Sequence, residues 1–272
     1  MPALGIEMIS VFGLPPVEFV TLAADLGCQH ISTGLASFGY NPHNYPSFSL
    51  RDDAALRREV VAVLRDRGVS ISLGEGFNVR PGGEARDYAA DLDIMHELGV
   101  RRINTVSLDP DRGRSFDQFG LLAEMAAARG METTVELSPG LTVPDLPTAL
   151  AAVRHVGRLD FRLLIDTMHL VRSGSGPADI AALDPDLIGY IQLCDAPLEP
   201  RFDSYFEEAM FERMPPGTGE LGLRELLAVL PRDRVFALEI PQRSQADAGV
   251  GPYERLGRCV EAARRLFSDL DA

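Results

Sequence analysis

Four short apolar runs in the second half of the chain each end in a residue able to hold a cation or move a proton. T-T-V-E-L-S carries Glu136, L-L-I-D-T-M-H carries Asp166 with His169 three residues on, Y-I-Q-L-C-D carries Gln192 and Asp195, and F-A-L-E-I-P carries Glu239. Side chains alternate along an extended strand, so Val135 and Leu137 face one way and Glu136 the other. The same parity turns Asp166, Gln192 and Glu239 to one side. Three carboxylates and a carboxamide gathered there would repel one another and lose hydration unless something positive balances them. A divalent metal held by oxygen ligands removes that repulsion. Each residue alone has a plainer reading, since a lone strand-end Glu is commonly an arginine partner or a solvated loop residue. Repetition on consecutive strands at one depth favours a site. His169 has two readings, a proton-transfer group beside the ion or a half-exposed helix cap, and Asp195 is expected to bond backbone or brace a ligand.

The composition narrows the chemistry further. All 26 formal positive charges of this 272-residue chain are arginine, against 40 Asp and Glu, for a net charge of −14. Without lysine there is no Schiff-base nucleophile, no pyridoxal-phosphate anchor and no Walker-type phosphate loop. The acidic balance argues against a nucleic-acid or anionic-membrane partner. Any side chain that anchors an anionic substrate must then be an arginine, which cannot act as a base. Cys28, Cys194 and Cys259 are odd in number and widely spaced, which points to free thiols and a reducing compartment. No basic-then-apolar leader opens the sequence and no apolar run approaches a membrane span, so a cytoplasmic protein is expected.

These residues need strands to carry them. Apolar runs at 5–10, 30–33, 70–73, 102–106, 133–137, 162–166, 188–193 and 235–240 alternate with helical patterns at 16–26, 53–67, 84–98, 115–129, 143–155, 178–183, 221–230 and 252–267. Helix-ending glycines (Gly27, Gly68, Gly99, Gly130) each precede the next strand by a few residues. Such alternation gives right-handed βαβ units and a parallel sheet. Eight units, with no G-x-G-x-x-G after the first strand, predict an α/β fold, a single-domain (β/α)8 TIM barrel spanning 1–272, rather than a doubly wound sheet. In that architecture the chemistry lies at the carboxyl ends of the strands.

The pieces V-E-L-S-P-G (135–140), I-D-T-M-H (165–169), I-Q-L-C-D-A-P (191–197), P-G-T-G-E-L (216–221) and A-L-E-I-P (237–241) make the chain resemble the xylose isomerase-like superfamily. That superfamily is also called the sugar phosphate isomerase/epimerase or AP endonuclease 2 family, and the resemblance covers nearly the whole chain. By matching position it implies that Glu136, Asp166, Gln192 and Glu239 hold one divalent ion and that His169 is the histidine of a D-x-x-H pair. Two positions depart from the pattern. Gln192 stands where many members have a ligand histidine, and its carboxamide oxygen favours Mg²⁺ or Mn²⁺ over Zn²⁺. Ser138 stands where many carry a histidine. Glutamine at this strand resembles some dehydratase members, such as 3-dehydroshikimate dehydratases. The endonuclease branch fits poorly, because it needs more metal ligands and a basic surface. Relatives are often dimers or tetramers, which implies a homo-oligomer, although no stripe in the sequence specifies an interface.

The chemistry suited to such a site is proton abstraction beside a carbonyl, with the ion stabilising an enediolate and Glu136 and Glu239 as base and acid. Return of the proton to the same carbon epimerises, return to the neighbouring carbon isomerises, and loss of a β-hydroxyl dehydrates. The leading expectation is an isomerase or epimerase of a sugar, sugar phosphate or related hydroxy-ketone, a small polyhydroxylated substrate. The alternatives are a hydro-lyase of the 3-dehydroshikimate or keto-inositol dehydratase type and a non-catalytic ligand-binding barrel. At the rim, Arg213 and Arg243 are either clamps for a carboxylate or phosphate or members of solvated ion pairs, Arg213 with Glu208 or Glu212. Glu75 and Asn104 end the third and fourth strands as candidates for binding sugar hydroxyls. Phe12, Phe38, Tyr40 and Phe77 either cover an apolar ring face or pack. His30 and His43 are placed on the opposite rim, and the long segment 197–222 reads as a lid or binding loop.

Overall fold

The computed structural model of the chain describes residues 1–271. Its strands are β1 (Leu4–Ile6), β2 (His30–Thr33), β3 (Ser70–Gly74), β4 (Arg102–Thr105), β5 (Glu132–Glu136), β6 (Phe161–Asp166), β7 (Ile188–Leu193) and β8 (Phe236–Leu238). All pair in parallel with their sequence neighbours, and β1 also pairs with β8, so the sheet closes on itself in the order β1 to β8. This is the single-domain (β/α)8 TIM barrel that the alternating pattern predicts. No described helix is long and apolar enough to cross a membrane.

Strand parity divides the apolar interior in two. Val135, Leu137, Leu163, Ile165, Ile191, Leu193, Leu238 and Ile240 face outward into the layer between sheet and helices. Leu73, Leu164, Tyr190 and Ala237 fill the barrel lumen as a separate cluster. Each lumen residue lies two positions before a polar one, giving Leu73 and Glu75, Leu164 and Asp166, Tyr190 and Gln192, Ala237 and Glu239. A plug of apolar side chains thus lies one layer beneath the polar ring and closes it to water from below. Cross-strand register sets the depth. Asp166 is the partner of Gln192, and Gln192 is the partner of Ala237.

The helix stops behave as their residues dictate. Asp53 accepts the Leu56 N–H to start the helix Ala54–Arg67, and Gly68 ends it at φ 67°. That left-handed conformation is open to glycine at little cost. Several boundaries differ from expectation. The run 5–10 is a strand only to Ile6, because Met8–Val11 winds into a short 3-10 helix. The segment 178–183 is a shorter helix, Pro177–Ala181, preceded by another at Thr167–Arg172. Segment 197–222 is not loop throughout, since it carries the helix Tyr205–Phe211.

Candidate metal centre

Local structure already aims two of the ring residues. Asp166 is the N-cap of the helix Thr167–Arg172, its Oδ1 accepting the His169 backbone N–H at 2.8 Å. The D-x-x-H spacing is therefore a capped first turn, which places the imidazole over the same end of the barrel as the carboxylate. Glu136, Asp166 and His169 bring one ligand atom each within 4.8 Å of one another. His169 Nε2 lies 3.4 Å from Glu136 Oε1, and His169 Nδ1 is 2.5 Å from Tyr205 Oη.

Gln192 and Glu239 complete the wall. Gln192 Nε2 donates to Glu239 Oε1 at 3.1 Å. That bond turns the amide oxygen the other way, and Gln192 Oε1 is buried with no hydrogen-bond partner. Glu239 Oε2 also accepts no hydrogen bond, although it lies 2.9 Å from Arg213 Nη2. Asn104, buried at the end of β4, donates from Nδ2 to Glu136 Oε2 at 2.6 Å. Rather than standing free for a sugar hydroxyl, its amide orients one of the carboxylates.

Arg213 is placed where the sequence reading did not put it. It pairs with neither Glu208 nor Glu212 and is not free at the rim. The residue is 3% exposed, with Nη1 on Asp166 Oδ2 and Nη2 beside Glu239, while Nε donates to the Ala209 carbonyl at 2.7 Å. A second cation therefore shares the balancing role assigned to a metal ion. Arg243 donates to Glu207 at 2.7 Å and rests 5.0 Å from the Phe211 ring centre, already paired. Glu208, buried at 1%, bonds to Arg172 at 3.2 Å.

The acidic ring is larger than the strand-end reading allowed. Glu7, directly after β1, is 1% exposed and accepts the Tyr190 hydroxyl at 3.0 Å, with its Oε2 unpartnered. The rule that found Glu136 and Glu239 would have found it had the first strand been ended at Ile6. Tyr190 was equally legible, two residues before Gln192 and hence on the same face. Burial pushes Glu7 up to about 7, against the hydrogen bonds that it accepts, and the Glu136 charge adds to the rise. Glu75, half-buried after β3, is held well above the usual carboxylate range by burial and then by the charges of Glu7 and Glu136. Burial, Asp166 and the other carboxylates likewise drive Glu239 up, against Arg213. Asp166 goes the other way. Burial would raise it, but the Arg213 guanidinium, helped by the hydrogen bond from the His169 backbone N–H, outweighs that and holds it below the usual range.

Glu7, Glu75, Glu136, Asp166 and Glu239 thus share one mouth with a single buried guanidinium. The unpartnered oxygens of Gln192 and Glu7 are hard donors with nothing to accept from. This donor set is of the kind that suits a divalent cation, and Glu136, Asp166 and His169 are the group whose ligand atoms converge.

The remaining candidates lie in different places. Asp195 accepts the backbone N–H groups of Ala196, Gly217 and Leu221, and so pins the P-G-T-G-E-L turn to the end of β7. His30 opens β2 at its amino end and bonds Ser70 Oγ at 2.8 Å, so it is at the opposite end of the barrel from the mouth. His43 is on the mouth side, 5.5 Å from the Tyr45 ring. Phe12 and Phe77 are buried packing residues, whereas Phe38 and Tyr40 meet Phe211 at 6.2 and 5.5 Å. His96 and His155 are exposed on their helices.

Comparison with known proteins adds four relationships. The family described as xylose isomerase-like TIM barrel matches residues 20–264. A 3-dehydroshikimate dehydratase of Pseudomonas aeruginosa is 28% identical over a 184-residue alignment, which covers 63% of this chain and 29% of that protein. The chain therefore spans less than a third of the length of that curated relative. Among solved structures, the IOLI protein with a bound zinc atom superposes with a TM-score of 0.77 at 16% identity, covering 99% of this chain and 98% of that one. D-allulose 3-epimerase from Methylomonas sp. gives 0.71 at 14% identity, covering 97% and 96%. At these identities the two structural likenesses concern the fold alone.

Proposed function

The chain belongs to the xylose isomerase-like TIM barrel family, and on that premise we propose that it is a divalent-metal-dependent isomerase or epimerase of a small polyhydroxylated ketone. The observation that carries this reading is the unpartnered Gln192 Oε1, on an amide bonded to Glu239 and paired across the sheet with Asp166, in a mouth closed from below by apolar side chains. Glu136, Asp166, Gln192 and Glu239 would hold the ion, and the carboxamide favours Mg²⁺ or Mn²⁺. When bound, it would supply Lewis-acid stabilisation of the charge that develops on a substrate carbonyl oxygen.

The rest is done by the chain's own groups. Glu136 and Glu239 each carry a ring position suited to taking or returning a carbon-bound proton. Asn104 holds Glu136 through Oε2, leaving Oε1 toward His169, and Gln192 holds Glu239 through Oε1, leaving Oε2 beside Arg213. His169 stands beside Glu136 as a further proton carrier. The substrate reading favours an uncharged molecule. Arg213 is committed to Asp166 and Glu239, and Arg243 to Glu207, so neither stands free to clamp a phosphate or carboxylate. The free, buried thiols of Cys28, Cys194 and Cys259 support a reducing, cytoplasmic setting.

A second reading, a hydro-lyase, is favoured by one observation. Gln192 departs from the ligand histidine toward the dehydratase pattern, and the curated relative above bears that name. The two readings part in one experiment. Mn²⁺- or Mg²⁺-loaded protein is incubated in D₂O with a panel of neutral ketoses and, separately, with 3-dehydroshikimate. Deuterium entering a carbon beside the carbonyl of a ketose supports the first reading. A new ultraviolet-absorbing conjugated product from 3-dehydroshikimate supports the second. Neither signal, with ligand affinity unchanged in Glu239→Gln, would leave a binding barrel.

A further inference from the structure

His169 is 4% exposed, and its imidazole meets a different group at each nitrogen, Tyr205 at Nδ1 and Glu136 at Nε2. Tyr205 comes from outside the barrel wall. It opens the helix Tyr205–Phe211 in the segment between β7 and β8, and its ring centre is 5.6 Å from that of His169. A phenol at neutral pH has one proton to donate, and burial raises the Tyr205 hydroxyl further from ionisation. Asp166 does not compete for a proton on Nδ1. Its Oδ1 is 4.0 Å away and already accepts the His169 backbone N–H. A neutral ring that accepts the Tyr205 hydroxyl at Nδ1 would carry its proton on Nε2, facing Glu136. The hydrogen bond at one imidazole nitrogen selects what the other can do.

We propose that Tyr205 is a positioning residue whose hydroxyl locks His169 in its Nε2–H tautomer and so keeps the imidazole from ligating the ion. A free Nε2 lone pair would join the nearby oxygens of Glu136 and Asp166 as a third ligand, since the three side chains bring ligand atoms within 4.8 Å of each other. With Nε2 protonated and Nδ1 occupied, the ion is left to Glu136, Asp166, Gln192 and Glu239, and His169 remains a donor beside Glu136. The exclusion of the imidazole from the ion rests on the metal-dependent reading above, whereas the tautomer is a property of the chain without metal.

Two measurements test it, and neither needs turnover. In the metal-free protein, side-chain ¹⁵N spectra resolve the tautomer of each of the five histidines, with His169→Gln supplying the assignment. The expected wild-type signal for His169 is a protonated Nε2 and a bare Nδ1, and Tyr205→Phe should convert it to a mixture or to Nδ1–H. That variant keeps the ring packed against the imidazole, so a purely structural role would shift stability and leave the tautomer alone. Nδ1–H in the wild type, or no change in Tyr205→Phe, overturns the proposal. In the Mn²⁺-loaded protein, pulsed EPR should show no directly bound imidazole nitrogen in the wild type and should show one in Tyr205→Phe. An imidazole coupling in the wild type overturns the exclusion. Failure of the protein to bind Mn²⁺ at all would sink both the exclusion and the proposed function, with the ¹⁵N spectra still deciding the role of Tyr205.

Discussion

The guanidinium of Arg213 lies inside the barrel mouth against Asp166 and reaches on to Glu239, so one arginine from the segment between β7 and β8 ties together carboxylates from β6 and the end of β8. Both Arg213 and Asp166 are almost wholly buried. The pairing sets how much of the acidic ring a metal ion has left to balance.

Removing one partner of a buried pair leaves the other charge uncompensated, typically at about 3–5 kcal/mol. Arg213→Met should therefore lower the stability of the metal-free protein by roughly 3 kcal/mol. Divalent ions should rescue the variant more than they stabilise the wild type. Melting curves with EDTA and with Mn²⁺ check both. Equal metal-induced shifts in the two proteins would mean that Arg213 and the ion do not share the same carboxylates.

Asn104 bonds Glu136 on the side away from its second oxygen. Loss of such a supporting bond commonly costs about 10–100-fold in metal affinity. Asn104→Ala should weaken Mn²⁺ binding by that factor with little change in fold, read by titration calorimetry and far-ultraviolet circular dichroism. Unchanged affinity would return Asn104 to the role of a substrate contact.

Glu7 is raised to about 7 by burial. The folded state then holds its proton more tightly than the unfolded chain. The benefit of the neutral form is complete below the ordinary value near 4.5 and is lost as pH rises to about 7. The fall is about 3 kcal/mol at most. Metal-free wild type should lose stability over this window while Glu7→Gln, which keeps an acceptor for Tyr190, should lose less. Urea midpoints from pH 4.5 to 7.5 measure the difference, and parallel curves would count against the shift.

Gly219 brings the P-G-T-G-E-L turn so close to β7 that an added Cβ would sit 2.4 Å from Asp195 Oδ1 and 2.6 Å from the Ala196 carbonyl oxygen. Gly219→Ala must push the turn off the Asp195 carboxylate that three backbone N–H groups share. A loss of about 2 kcal/mol is expected from thermal or chemical unfolding. A neutral result would show that the turn relaxes freely.

Much of this was legible in one dimension. Repeated helix stops before apolar runs determine eight βα units, because a glycine that ends a helix and a strand of fixed parity are local properties of the chain. Parity alone also gathers Glu136, Asp166, Gln192 and Glu239 on the inner face. Two local misreadings hid other parts. Extending the first strand through Ser10 hid Glu7, since Met8–Val11 is as apolar as a strand but coils instead. Reading 197–222 as loop hid the helix that delivers Tyr205 to His169.

What the tertiary structure alone decided is the pairing. Arg213 is 47 residues from Asp166 in sequence and Tyr205 is 36 from His169. Neither spacing carries a periodic signal, because those contacts depend on how an irregular segment folds back over the mouth. The sequence determined that an acidic ring exists and needs positive charge. Which charge meets which oxygen was settled by burial, where a guanidinium without a carboxylate, or a carboxylate without a cation, costs too much to remain alone.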